Sequence, residues 1–515
     1  MQIEIKDFLS DFLFLKIRRI TYFITFIFSL IQIFISSFDI NILIILFLIN
    51  LISIINLEIT LQRDKLLFYL IPSLLVIFVN LFYLLFPLYI KTFLGGSILD
   101  NLELGIKSFY ISILYVIVTS LCFSFFVKKT NFSNRDDLNR PLLTKLNVFE
   151  YLNVKSSIII FLVLFSIKLY LFFYQNSFVI HEEFGNIFLK FLFGFDQFFY
   201  LPIILMFNLY YLNRITKFFF INFLVLNILL SIFFAISTNS RTEIFQMITI
   251  IFFCYFFFFL QGKIKINGIK FIFILFLLIL FSFIFENISK KLLKVRGIQY
   301  ETSPIELFKI TSGLSDVNYK ILDINTDQNL EYIYTGHNVL DRFTPIKYLD
   351  KALYDSSYFG FSDYEDFSKF SRFKMLSLFP QNLINIFAKD YKKSEYKVAI
   401  GSKIERLAYQ RFGGDLNKGS YIVELLLITN SYILTFVLVA LIYLTFFFIV
   451  SFFQKVNNDK IIFSPIILLF VFEILYASQS DSLAYFITFF FRTPIEMILL
   501  INILYIFNSK DKYKY

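Results

Sequence analysis

The 515-residue chain is poor in the residues that cover a soluble protein. Only 17% of its residues are charged, against roughly 25% in soluble globular domains. It has two cysteines, two histidines and no tryptophan. Cys122 and Cys254 both lie inside apolar runs, where they read as small hydrophobes and support neither a disulfide framework nor a thiolate metal site. There is no Gly-rich phosphate loop, no HExxH and no Cys/His ligand spacing, which disfavours a nucleotide-driven pump and leaves no metal or cofactor to expect. No cleavable signal peptide is evident, because residues Met1 to Arg19 open polar and charged and run straight into a membrane-length segment.

What is present is apolar. The chain is 58% hydrophobic and 21% aromatic, with 76 Phe and 32 Tyr, and its mean hydropathy is +0.72. No soluble fold of this length could hide that much apolar surface from water, so the class is a polytopic membrane protein. A spanning helix needs about 20 mostly apolar residues. Twelve segments qualify, at 20–37, 40–57, 66–90, 109–127, 156–174, 196–212, 218–237, 244–261, 271–286, 423–450, 461–478 and 484–507. They are continuous apolar runs without the every-second-residue alternation of a β-barrel.

The basic residues test that count. With the N-terminus in the cytoplasm, the inside segments carry 22 Lys and Arg and the short outside segments carry 4, namely Lys91, Lys107, Lys190 and Arg241. A miscounted helix would scramble this alternation. Twelve spans with both termini inside follow. Residues 287–422 form one long outer loop with 20 basic and 16 acidic residues, and long loops cross the membrane whatever their charge. Helix-like stretches at 303–313 and 371–388, with turn signals at Gly360, Gly401, Gly413 and Gly414, give it the character of a mostly helical cap. The expected fold is an all-α polytopic membrane protein. It comprises a bundle of about nine helices (1–286), the outer cap (287–422) and about three C-terminal membrane helices (423–515).

Few residues are left to carry chemistry. Only 13 of the 48 basic residues are Arg, and Arg241, Arg296, Arg342, Arg372, Arg406, Arg411 and Arg492 fall on the outer face or in the membrane. Their planar forks match phosphate oxygens, although pairing with the loop's acids is the ordinary alternative. Arg241 stands in a polar hairpin just before a helix start, which favours an anion or a bridge to Glu243. Arg492 lies four residues before Glu496, with Pro494 between. Charge within spans is otherwise scarce, chiefly Lys168 and Glu473, and such groups face a cavity or the bundle interior. His181 and His337 are both outside and are candidate proton acceptors. Asp363, Glu365 and Asp366 form an acidic cluster of the kind that can bind a divalent cation, although a solvated acidic turn is the ordinary reading. The net charge of +10 follows membrane topology and gives no reason to expect nucleic acid.

The layout of many apolar helices, one large late outer loop and a few final helices resembles the oligosaccharide repeat unit polymerases, the O-antigen and capsule polymerases of the Wzy type. Three local motifs carry the resemblance: Ser240-Arg241-Thr242 between two helices, Arg411-Phe412-Gly413-Gly414-Asp415 leading through Gly419 to Glu424, and Arg492-Thr493-Pro494 in the final helix. The resemblance implies a fold similar to glycosyltransferase-C and a polysaccharide polymerase of the bacterial inner membrane. Donor and acceptor are undecaprenyl-pyrophosphate-linked oligosaccharides, joined on the outer face with the pyrophosphate as leaving group. Arg241, Arg342, Arg372, Arg411 and Arg492 would hold pyrophosphate, and His337, Asp415 or Glu424 would take the acceptor proton. Implied partners are membrane lipid and the chain-length regulator and flippase of the same pathway. Two alternatives remain open: an O-antigen ligase with a different acceptor, and a lipid-linked oligosaccharide flippase.

Overall fold

A computed structural model describes residues 2–4, 11–130, 137–138, 141–175, 187–196, 198–237, 241–264, 291, 309–310, 334–335, 340–377, 379, 384–386, 391–396, 398–410, 419–457, 460–469, 471, 482–488 and 493–505. After a short strand β1 (Gln2–Glu4), helices α1 (Asp11–Ile35) and α2 (Ile40–Thr60) form a hairpin. Its turn places Ser37 and Phe38 at positive φ, and the Asp39 carboxylate accepts from the Asn41 N–H. Next come α3 (Arg63–Phe68), α4 (Leu70–Asn80) and α5 (Phe86–Phe93), with a π-helical turn at Leu81–Leu85 between the last two. Pro87 follows that turn, and proline has no N–H and crowds the carbonyl four residues back. The wider turn, with the Phe86 N–H reaching Leu81 O, accommodates it.

Helix α6 (Gly105–Thr130) is central, packing against α2 and α4 on one side. Strand β2 (Asp137–Leu138) and α7 (Pro141–Lys145) precede α8 (Val154–Gln175), α9 (Ile187–Asp196), α10 (Leu201–Tyr211), α11 (Lys217–Ser237) and α12 (Arg241–Leu260). The cap contributes a 3₁₀ turn at Leu340–Phe343, then α13 (Ile346–Ser356), α14 (Phe361–Leu376) and α15 (Ile400–Tyr409). Helices α16 (Tyr421–Thr429) and α17 (Tyr432–Ser451), strands β3 (Gln454–Asn457) and β4 (Lys460–Phe463), and helices α18 (Leu483–Ile487) and α19 (Thr493–Tyr505) complete the chain.

Among the described residues, nine helical segments are long and apolar enough to cross a membrane. They are Asp11–Ile35, Ile40–Thr60, Leu70–Phe93, Gly105–Thr130, Val154–Phe173, Phe191–Tyr211, Lys217–Ser237, Glu243–Leu260 and Tyr432–Ser451. The protein is a helical, multi-pass membrane protein. The expected span at 271–286 lies outside the described residues, as do 470 and 472–478 of the expected span at 461–478.

Three expectations need correction. The run 423–450 is two helices, broken where Asn430 takes the left-handed conformation at φ 48° and Ser431 caps α17 with its side chain. Asn tolerates that conformation better than other non-glycine residues. Residues 460–463 are a strand, not the start of a helix. They pair with β3 across a polar turn, and Pro465 then opens a helical stretch, as proline does at a first turn. In the cap, α14 ends at Leu376, and Gly401 lies inside α15 rather than at a turn.

The four strands form one antiparallel sheet in the order β1-β4-β3-β2. It ties the N-terminus, the segment after α6 and the hairpin after α17 to a single side of the bundle. This is the same-side grouping that the positive charges require of those three segments.

Polar side chains join the helices inside the apolar bundle, where hydrogen bonding between helices is one of the few specific attractions available. On α2, Asn50 donates to Ser29 Oγ at 2.7 Å, Ser53 to Asn80 Oδ1 at 3.0 Å and Asn56 to Ser120 Oγ at 2.8 Å. A second knot is aromatic. Tyr421 OH donates to Tyr115 OH at 2.6 Å, Tyr115 also bonds Tyr443, and Tyr83 packs edge-on against Tyr115 at 5.0 Å. Tyr443 lies eleven residues into α17, about 16 Å along a helix. Helix α16 therefore begins deep among the helices and rises beside α17 towards the Asn430 turn.

The cap is seated by Asp350 of α13, which is fully buried. Its carboxylate accepts from the Glu103 and Leu104 N–H groups at 2.6 and 3.0 Å and from Ser108 Oγ at 2.7 Å. It thus satisfies the N–H groups of the two residues that lead into α6 and the hydroxyl of Ser108 in its first turn. Asp350→Ala would leave those donors bare and should destabilise the cap–bundle contact by about 3 kcal/mol or more, since bonds to a charged acceptor contribute about 1.5–3 each. Limited proteolysis in nanodiscs should then cut within 334–410 well before it cuts the bundle, while Asp350→Asn should show a smaller effect.

Candidate functional site

Ionic side chains gather where α8, α9 and α12 meet and where the segment 340–410 contacts the bundle. Lys168 projects from α8 in an otherwise apolar run. Its Nζ lies 2.7 Å from Asp196 Oδ1 at the end of α9 and 2.6 Å from Glu243 Oε1 in the first turn of α12. Tyr200 donates to Glu243 Oε2 and to the Glu243 backbone carbonyl, both at 2.9 Å. The rings of Phe199 and Phe234 flank the ammonium at 5.5 and 5.7 Å. One cation therefore joins two carboxylates across three helices, and the start of α12 is fixed from two directions. An unpaired ammonium at this depth would be expensive, and the pairing answers the question that a lone charge in an apolar run raises.

Arg241 is the first residue of α12, two positions before Glu243. The pairing with Glu243 that the sequence left open falls on a side chain outside the described ones; the two oxygens of Glu243 accept from Lys168 and Tyr200. Beside this helix start lies the 3₁₀ turn that contains Arg342. The next residue, Phe343, packs against Phe245 at 6.3 Å, Phe82 at 6.2 Å and Phe86 at 6.0 Å. The turn bearing Arg342 thus adjoins the first turns of α12 through Phe343, Ile244 and Phe245. The turn is itself anchored. Asp341 accepts from the Thr335 N–H at 2.7 Å and faces Lys347 at 3.6 Å, both side chains buried.

A second junction centres on Glu424 of α16, which is completely buried. Ser371 of α14 donates to Oε1, and the Leu483 N–H at the start of α18 donates to Oε2 at 2.6 Å. One carboxylate connects the cap to two membrane-embedded helices. Arg372, next to Ser371, is exposed and has no side-chain partner among the described residues. Asp363 accepts from the Gly360 N–H at 2.8 Å, so the acidic cluster lies in the first turn of a helix, where negative charge is favoured, and not in a loop turn.

The expected site residues therefore fall into three groups. Arg241 and Arg342 lie on elements that adjoin through Phe245 and Phe343, with their side chains outside the described ones. Glu424 and Arg372 sit at the α14–α16 contact. His337, Arg411, Asp415 and Arg492 lie outside the described residues, as do His181 and Glu473. The sequence reading missed Asp196 as the partner of Lys168, although an acid opening an apolar segment was a usable signal. It also missed Asp341, Asp350 and Ser371, which look like ordinary loop residues until their partners are seen.

Lys168→Met should leave two carboxylates facing each other without their cation. Breaking a buried pair typically costs about 3–5 kcal/mol, so the thermal midpoint in detergent should fall clearly. Adding Glu243→Gln to the same protein should restore part of the loss. An unchanged midpoint in the single variant would show that the ionic cluster contributes nothing.

Compared with protein-family models, characterised proteins and solved structures, the chain matches none.

Proposed function

We propose that the chain is a polymerase of lipid-linked oligosaccharide repeat units, acting on the outer face of the bacterial inner membrane with both termini in the cytoplasm and twelve spans. The observation that supports this reading is the contact between the turn that bears Arg342 and the first turns of α12, which Arg241 opens. The two elements adjoin through Phe245 and Phe343, where a folded cap is held on the membrane bundle by buried carboxylates. Two guanidinium-bearing elements at a membrane–water boundary suit a diphosphate attached to a polyprenyl tail, because the fork of Arg matches the oxygens.

In this reaction an acceptor hydroxyl oxygen attacks the anomeric carbon of the donor sugar. The carbon–oxygen bond to pyrophosphate breaks, and undecaprenyl pyrophosphate leaves with the electron pair. Arg241, Arg342, Arg372, Arg411 and Arg492 supply the positive charge that stabilises the leaving group. The acceptor proton passes to a base, for which His337 and Asp415 are the candidates. Glu424 shares that candidacy by sequence, but both its oxygens already accept hydrogen bonds; its contribution is to hold the cap against the helices that deliver the reactants. The cap excludes water that would hydrolyse the donor. A flippase that supplies the repeat units and a regulator of chain length are the expected partners.

Purified protein in nanodiscs, given undecaprenyl-pyrophosphate-linked repeat units, should produce a ladder of polymers. Arg241→Ala and Arg492→Ala should each abolish the ladder without removing the protein from the membrane, and the Lys variants should restore little. Transfer of a single glycan to a lipid A core acceptor, with no ladder, would make the protein a ligase. Movement of intact substrate between leaflets, with no transfer, would make it a flippase.

A further inference from the structure

The water-facing side of the cap carries an aromatic surface that the ionic site does not use. Helix α13 has two faces. One bears Ile346, Leu349, Asp350 and Leu353, all buried towards α6 and its neighbours. The other bears Lys351 and Tyr354, with Asp355 buried beside them, and Tyr358 follows in the turn after the helix. Tyr409, at the end of α15, joins them. The Tyr354 and Tyr358 rings are 5.3 Å apart, and those of Tyr358 and Tyr409 are 5.7 Å apart. Tyr358 is 52% exposed and Tyr409 36% exposed.

The polar atoms of this platform are organised. Tyr358 OH donates to Tyr354 OH at 2.7 Å, Tyr409 OH donates to Asp355 Oδ1 at 2.8 Å, and Lys351 pairs with the same oxygen at 2.8 Å. The Lys351 ammonium lies over the Tyr354 and Tyr409 rings at 5.8 and 5.4 Å. Lysine and aspartate balance each other, so the surface offers ring faces and hydroxyls with no net charge.

A cleft adjoins the platform. Asp350 binds the Glu103 N–H, and Tyr354 stands one turn further along α13, where the Glu103 charge acts on its hydroxyl. The cleft has a volume of about 510 Å³, within the range of about 300–1,000 Å³ of small-molecule sites, and its lining includes Leu99, Glu103, Lys107 and Tyr110. Glu103, Lys107 and Tyr110 are exposed, and the Glu103 and Lys107 side chains have no partner among the described residues.

We infer that the tyrosine platform of α13 and α15, with the Glu103–Lys107 cleft beside it, is a binding site for neutral oligosaccharide, distinct from the arginine site. The chemistry commits to that class. A pyranose has a C–H face that lies flat on an aromatic ring and a rim of hydroxyls that both donate and accept. Tyr supplies a ring and a hydroxyl together, Glu103 accepts from sugar hydroxyls and Lys107 donates to them. An anionic ligand would find no net positive charge on the platform. The position, on the cap beside the start of α6, suits glycan emerging from a lipid anchor at the rim. As substrate class, the inference rests on the polymerase reading; as a binding site, it can be tested without it.

Because the chain has no tryptophan, Tyr358→Trp creates a single fluorescent reporter at an exposed position that an indole can occupy. In nanodiscs, the delipidated repeat-unit oligosaccharide cut from the producing cell's surface polysaccharide should give a saturable change in its emission. Tyr354→Ala and Glu103→Gln in that background should each weaken binding roughly three- to tenfold, while Tyr364→Ala, outside the platform, should not. An absent response, or equal affinity in all variants, would overturn the inference. Strong quenching of the reporter by brominated phosphatidylcholine in the nanodisc would also overturn it, by showing that the platform lies in lipid. A polymer ladder with a silent reporter defeats this site alone; a saturable response without a ladder upholds the site and defeats the polymerase reading.

Discussion

A helix that starts at a membrane boundary has free N–H groups that neither lipid nor its own turn can satisfy. In this protein carboxylates meet that need from other elements. Asp350 of the cap accepts from the N–H groups of the two residues that lead into α6, and Glu424 of α16 accepts from one at the start of α18. Each bond joins parts of the chain far apart in sequence, so satisfying a helix end and docking the cap are the same event. Removing either carboxylate leaves a buried donor bare, which makes the docking specific as well as favourable.

The ionic cluster at α12 applies the same constraint to side chains. Lys168 is tolerated in an apolar helix because Asp196 and Glu243 come to it, and in doing so they set the position of the α12 start. Arg241 inherits that position. Phe343 brings the turn bearing Arg342 beside it through aromatic contacts. Apolar packing and a few buried charges thus fix the start of α12 and the turn beside it, the two elements on which the proposed anion site is built.

Much of the architecture was legible in the sequence because membrane burial writes long apolar runs. Each of the nine described spans begins or ends within a few residues of an expected limit. The failures have local causes. The run at 423–450 is apolar on both sides of Thr429-Asn430-Ser431, so its break depended on one left-handed residue. The strand at 460–463 is as apolar as a helix would be, and only its pairing with β3 distinguishes it. At the site, Arg241 stood out through scarcity and position. Asp350 and Ser371 did not, because their importance lies in partners 53 to 247 residues away.

The central claim is that the start of α12 and the turn at Leu340–Phe343 form the diphosphate site of an outer-face enzyme acting on lipid-linked glycans. A cryo-EM structure in nanodiscs with an undecaprenyl-pyrophosphate-linked oligosaccharide tests it most directly. The account predicts diphosphate density between the Arg241 and Arg342 guanidinium groups, with the polyprenyl tail leaving into the bilayer. Density for the diphosphate elsewhere in the molecule, with those two arginines facing away from it, would contradict the account.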